Sequence, residues 1–189
     1  MRILMLGDSG TEHVQRWAAH FRRRGDDVMV ATAQTSGAAD VRLQLPVRWS
    51  ALGYPLLVPV LKRLANEFKP DVTVAHYLPN YGLLTVLADL RPRMLLAWGS
   101  DLLVLPKRGP LQRARLGYVA RRGGTFLVDA NMLVEPLVLL GAPVERVYVC
   151  PFGADEDVMA LGESVSRPRS EFPVLFAIAA WNPPTTIRF

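Results

Sequence analysis

The 189-residue sequence predicts an α/β domain built on a parallel sheet with helices on both faces. Three observations predict it. Short apolar runs recur at 2–6, 28–31, 72–75, 94–97, 126–128 and 147–149. They are continuous instead of alternating, as strands buried on both faces are. Segments with helical spacing of apolar residues lie between them, and alternating strands and helices give parallel strands with right-handed crossovers.

Taken in order, residues 2–6 form a strand ending in the turn sequence Gly7-Asp8-Ser9-Gly10. Val14, Trp17, Ala18 and Phe21 then fall at i, i+3, i+4 and i+7, one face of a helix. Ser9 and Glu12 have capping-box spacing, and Gly25 stops the helix. After the strand at 28–31, residues 33–50 read as an irregular connection. Pro55 opens a second helix with Leu57, Val60, Leu61, Leu64 and Phe68 on one side, and Lys69-Pro70 ends it. The strand at 72–75 runs into His76-Tyr77-Leu78-Pro79-Asn80, and a helix follows at about 81–89. The strand at 94–97 runs into Trp98-Gly99-Ser100-Asp101. Pro110 fits the first position of a helix that reaches about Arg122. The strand at 126–128 precedes a helix capped by Asn131 and ended by Gly141. The strand at 147–149 leads to Pro151-Phe152-Gly153-Ala154-Asp155.

This order is Rossmann-like and places residues 1–155 in one domain. The polar stretch 156–173 reads as a linker. Residues 174–189 hold one more apolar run, at 174–180, before Asn182-Pro183-Pro184. They read as the first strand of a second domain that is largely missing.

Composition narrows the function classes. With 50% hydrophobic and 21% charged residues the chain is globular, and it is long enough to bury a core without disulfides. The one cysteine, Cys150, excludes an internal disulfide, favours a reducing compartment and reads as a small buried residue at a strand end. No stretch is long and apolar enough for a membrane span, and the N-terminus lacks a signal-peptide pattern. The net charge of +5 suits an anionic partner, and its distribution locates it. From Leu102 to Val128 there is no acidic residue, while Lys107, Arg108, Arg113, Arg115, Arg121 and Arg122 all occur. Arg108, Arg115 and Arg122 repeat at seven beside Leu111, Ala114, Tyr118 and Val119. Lys107, Arg108, Arg115 and Arg122 thus mark either a membrane-surface face or a solvated basic one. No nucleic-acid motif accompanies the charge.

Parallel sheets bind ligands at the carboxyl ends of their strands. Four polar segments lie there: 7–13, 76–80, 98–101 and 152–155. Ser9 and Gly10 either offer backbone N–H groups to an anion or a sugar hydroxyl, or only cap the helix. His13 either faces the cleft or is an exposed helix histidine. His76 either lines the cleft or bonds backbone, and His20 belongs on the surface. Tyr77, Tyr81 and Trp98 either stack on a sugar or lipid chain or pack as core. The three histidines lack metal-ligand spacing, so no metal is expected. The absence of Gly-x-Gly-x-x-Gly disfavours dinucleotide binding of dehydrogenase type.

Together the pieces resemble the N-terminal, acceptor-side domain of the GT-B glycosyltransferases, retaining family four. They are 1–7, His13-Val14-Gln15-Arg16-Trp17-Ala18, Lys69-Pro70-Asp71-Val72, Ala97-Trp98-Gly99-Ser100-Asp101 and the 151–155 corner. The resemblance covers about residues 1–160. It implies transfer of a hexosyl group from a nucleotide-sugar to a sugar, lipid-linked or small-molecule hydroxyl. It also implies retained anomeric configuration, no required metal and no cofactor bound by these residues, since the donor site belongs to the second domain. Many relatives carry His-Gly-x-Asp where this chain has Trp98, Gly99 and Asp101, so no catalytic histidine carries over there. Asp101 and His13 are the catalytic candidates. Ser9, Gly10, His76, Tyr77, Asn80, Trp98, Gly99 and Ser100 are the acceptor-binding ones. The expected setting is cytoplasmic, peripheral at the inner membrane face, with a separate donor-domain chain as one partner. Two alternatives stand beside this: a non-catalytic binding module or remnant, inactive alone, and half of a sugar-nucleotide 2-epimerase.

Overall fold

A computed structural model describes residues 1–35, 37–44 and 50–151. Seven parallel strands form one sheet in the order β3-β2-β1-β4-β5-β6-β7. They are β1 (Arg2–Leu6), β2 (Asp27–Thr32), β3 (Val41–Arg42), β4 (Val72–His76), β5 (Arg93–Ala97), β6 (Thr125–Val128) and β7 (Val147–Val149). The first strand is central. It pairs with β2 on one side (Leu4 opposite Met29) and β4 on the other (Leu4 opposite Thr73).

Alternation along β1 divides the core. Ile3 and Met5 point to the face covered by α1 (Glu12–Arg23), where Val14, Ala18, Val30, Val74 and Leu96 meet them. Leu4 and Leu6 point to the other face. There they join Leu57, Leu61 and Phe68 of the α2 (Ser50–Leu56) and α3 (Val58–Phe68) region, and Leu84 of α4 (Leu83–Leu87). Leu116 and Val119 of α6 (Pro110–Arg122) and Leu137 of α7 (Val134–Leu139) complete that layer, and α5 (Ser100–Leu103) packs at its edge through Leu102. The expected α/β class, parallel sheet and helices on both faces are all present.

Several local expectations are corrected. The expected capping box is absent: Thr11, not Ser9, precedes α1, and its side chain makes no cap bond. Asp8 delays the helix, because its carbonyl accepts both the N–H and the hydroxyl of Thr11, and its Oδ1 accepts the Gly10 N–H at 2.9 Å. Pro55 lies inside α2, and it is Pro59 that sits at the start of α3. The two-residue β3 was not expected within 33–50. Asp40 holds it in place, taking the Val30 N–H at 2.7 Å and Arg22 Nη2 at 2.6 Å. The helix expected at about 81–89 is present as α4, but it is entered earlier, through a π-helical turn at Tyr77–Gly82. Asn131 starts a short 3-10 turn and does not cap α7 through its side chain. Cys150 is exposed. The 151–155 corner beyond Pro151, the linker and the 174–180 strand lie outside the described residues. Among the described residues no helix is long and apolar enough to cross a membrane.

At the amino end of the sheet, Arg93 carries a side chain only 2% exposed. Its Nη1 donates to Leu90 O at 3.1 Å and Asp89 Oδ1 at 3.3 Å, and Nη2 donates to Arg122 O, tying β5 to the end of α6. Replacing Arg93 by Met keeps the volume and leaves two carbonyls unpaired. We expect a loss of about 2–3 kcal/mol, read as a lower urea midpoint with unchanged slope. A loss inside measurement error would show that the tie contributes nothing.

Candidate functional site

The carboxyl ends of β1, β4 and β5 enclose a cleft of about 420 Å³. It lies where the sheet order reverses, between β1 and β4. Crossovers diverge there and leave a gap that helices do not fill.

A stack of rings forms one wall. Trp98, directly after β5, lies between two histidines: its ring centroid is 4.2 Å from His13 and 5.5 Å from His76, the latter nearly parallel at 20°. Trp17 meets His76 edge-on at 5.8 Å. His76 is 2% exposed, and neither ring nitrogen has a hydrogen-bond partner among the described residues. Burial, with His13 adding to it, pushes its pKa down to about 3, so the ring is neutral at physiological pH. The rest of the lining bonds hydroxyls well: Asp8, Thr11, Gln34, Tyr77, Asn80 and Tyr81. Tyr81 is anchored through its phenol, which accepts the Ala33 N–H at 3.0 Å and lies 3.2 Å from Thr32 Oγ1.

Local backbone positions this wall. Tyr77 has φ of 75°, a costly value for a bulky residue. It opens the π-helical turn that carries Asn80 and Tyr81. Gly99 has φ 78° and ψ −58°, with Ser100 N–H donating back to Trp98 O at 2.9 Å. That is a γ-turn, which glycine adopts without a side-chain clash. One carboxylate joins these two strained loops: Asp101 Oδ2 accepts the Leu78 N–H at 3.1 Å and Oδ1 accepts the Trp98 N–H at 2.9 Å.

Of the expected site residues, His13, His76, Tyr77, Asn80 and Trp98 come together in the cleft. Others do not. Asp101 is fully buried with both oxygens bonded to backbone, so it braces the cleft from beneath instead of meeting an acceptor. Ser9 is 1% exposed, and its N–H points to Thr32 Oγ1 at 3.4 Å. The Gly10 N–H is taken by Asp8. Gly37 closes over this peptide so tightly that a Cβ there would lie 1.9 Å from Ser9 O. Ser9 and Gly10 therefore do not present amides to the cleft. Gly99 shapes the Trp98 turn, and Ser100 lies beside the Tyr77 phenol. Tyr81, one of the expected aromatic candidates, lines the cleft too, and Asp8, Thr11 and Gln34 line it without having been expected there as ligand groups. Asp8 had a signal, a carboxylate two residues beyond the central strand; Gln34 had none.

The expected basic face is also altered. Lys107, Arg108 and Arg122 are exposed, and Arg122 lies 4.3 Å over the Tyr118 ring. Arg115 turns inward, its Nη2 3.3 Å from Asn80 Oδ1. Seven-residue spacing aligned the three arginines on a helix, but Arg115 bends toward the π-helical turn. Among the described residues, no group of three or more His, Cys, Asp and Glu side chains is placed to hold a metal.

Asp101 and His76 should give opposite pH signatures. Burial raises Asp101 to about 6 against the backbone bonds that lower it, so it binds more protons folded than unfolded. Its contribution is complete below about pH 4 and is lost as pH rises through about 6. The lowered His76 contributes fully above about pH 6.5, and that contribution is lost as pH falls toward 3. Urea midpoints between pH 4 and 6 should therefore rise with pH in Asp101→Asn relative to wild type, and fall with pH in His76→Phe. Three parallel curves would contradict both assignments.

The sequence profile described as "Glycosyl transferase 4-like" matches residues 2–129. No curated protein matches the sequence. Among solved structures, a UDP-N-acetylglucosamine 2-epimerase from Rickettsia bellii is similar at TM-score 0.63 and 12% identity, over 79% of this chain and 44% of that one. The Anabaena protein HepE, solved with UDP and glucose, is similar at 0.59 and 18%, over 84% and 46%. The lipopolysaccharide outer core galactosyltransferase WaaB is similar at 0.59 and 11%, over 79% and 45%. The chain thus spans under half the length of these structures, and at such identities they show the fold alone. On the profile match over most of its described length, the chain belongs to the glycosyl transferase 4-like family.

Proposed function

We propose that this domain is the acceptor side of a GT-B glycosyltransferase. The full enzyme transfers a hexosyl group from a nucleotide-sugar to a hydroxyl of a sugar, lipid-linked sugar or small molecule. The observation that carries this reading is the cleft at the switch point: rings of His13, Trp98 and His76 on one side, hydroxyl-bonding groups on the other. A pyranose has apolar C–H faces and an equatorial rim of hydroxyls, and such a wall matches both. Asp8 is the carboxylate that lines the cleft, and it takes the acceptor-orienting role expected of Asp101. His13 lies at the opening and bonds the bound sugar. Holding the acceptor hydroxyl in line is this domain's contribution to rate. The donor's nucleotide is held by a second domain, in the same or a separate chain.

A membrane-facing role is supported by exposed Val104 and Leu111, which flank exposed Lys107 and Arg108. An apolar pair beside cations suits an anionic inner leaflet.

Saturation-transfer NMR on the 189-residue chain tests the acceptor reading. Methyl hexosides should receive saturation from the protein, and Trp98→Ala should abolish it. UDP- and GDP-sugars should bind no better than the free sugars. Micromolar binding of a nucleotide-sugar would place the donor site here and favour the epimerase or another reading.

A further inference from the structure

Arg115 is a half-buried cation that meets no anion among the described residues. Its Nη2 bonds the neutral Asn80 Oδ1, and its Nε is hidden from solvent with no acceptor among the described residues. Burial pushes its pKa down, and among the described residues the only groups that counter this are the phenols of Tyr54 and Tyr77, not a carboxylate. No acidic residue occurs from Leu102 to Val128, and the nearby Asp101 has both oxygens engaged by backbone amides. Withdrawing a guanidinium from water without a counter-charge is costly. Arg93 gives the contrast in the same fold: its Nε also lacks an acceptor among the described residues, but its two terminal nitrogens meet a carboxylate and two carbonyls.

The surroundings of Arg115 lead to the cleft. Asn80 and Tyr77 both line it. The Ser100 hydroxyl lies beside the Tyr77 phenol, and Arg108 as well as Arg115 acts on that phenol electrostatically. Arg115 thus reaches the cleft wall through Asn80, and Arg108 and Ser100 act on the Tyr77 phenol of the same wall. A carboxylate has two oxygens to satisfy; this set suits the three or four of a phosphate, and arginine's planar fork matches phosphate geometry. We propose that Arg115, supported by Arg108, Tyr77 and Asn80, forms a subsite for a phosphate group carried by the molecule bound in the cleft. The proposal rests on the acceptor reading above and narrows it to phosphate-bearing acceptors.

The test is a titration of the 189-residue chain with methyl phosphate, followed through the Arg115 Nε–Hε and Asn80 side-chain amide NMR signals. Both should shift saturably. Arg115→Gln should weaken binding roughly tenfold or more, and Arg121→Gln, an exposed arginine on the same helix, should not. Should Arg115→Gln fail to fold, Arg115→Lys keeps the charge without the fork and should still bind more weakly than wild type. An unmoved Arg115 signal overturns the subsite, as does equal affinity in wild type and the Arg115 variant. Vesicles identify the source. If Arg115→Gln also lowers binding to phosphatidylglycerol vesicles but not phosphatidylcholine ones, the phosphate is a lipid headgroup; if only methyl phosphate binding falls, it is a soluble phosphorylated acceptor. Failures are separable. A methyl hexoside that moves Trp98 while methyl phosphate leaves Arg115 unmoved refutes the phosphate subsite alone. The reverse result refutes the sugar-acceptor reading and keeps the subsite.

Discussion

Everything at the cleft depends on β1 being hydrogen-bonded on both edges. With β2 on one side and β4 on the other, consecutive crossovers leave it in opposite directions. No helix can occupy the space above the carboxyl ends of β1 and β4. That space is open before any side chain is chosen, and the residues that happen to end those strands become its lining. Asp8 and His76 are there because one follows β1 by two residues and the other ends β4. Trp98 is there because β5 is the next strand over. The sheet's demand for cover on both faces then closes every other approach.

An open crevice is not yet a shaped one. Shape comes from two loops that the backbone alone would not hold. Tyr77 sits at positive φ and Trp98 precedes a γ-turn, and both conformations relax unless restrained. A single carboxylate restrains them. Asp101 accepts one amide from each loop, so the wall bearing Asn80 and Tyr81 is fixed relative to the ring of Trp98. Its complete burial is the reason its charge is hard to keep, and the two amides are the reason it can be kept. The carboxylate shapes the site without touching what binds there.

Much of this could be read from residue order, and the parts that could not share a cause. Strands were legible because burial on both faces demands unbroken apolar runs, as in Ile3-Leu4-Met5-Leu6 and Met94-Leu95-Leu96-Ala97. The strand-end segments at 76–80 and 98–101 followed from the parallel topology, and with them His76, Tyr77, Asn80 and Trp98. Which way a polar side chain turns within such a segment was not legible. Asp101 and Ser9 belong to the right loops but face inward, because backbone amides and the loop at Gly37 claim them. Periodicity placed Arg115 on a helix face with Arg108 and Arg122, but could not show that a long side chain reaches across to Asn80. β3 is two residues long, too short to show alternation, and is specified by the bonds of Asp40.

The central place of β1 also orders events during synthesis. Of the described strands it is the first to leave the ribosome, yet one of its two edges stays unpaired until β4 emerges. The bond from Arg2 N–H to Asp71 at the mouth of β4 spans a separation of 69 residues. At about 5–20 residues per second, several seconds pass during which Ile3 to Leu6 are sheltered on one edge at most. An apolar strand with a free edge invites pairing with another chain. β1 is therefore the segment of this domain most dependent on chaperone cover, although in the finished fold it is among the best protected.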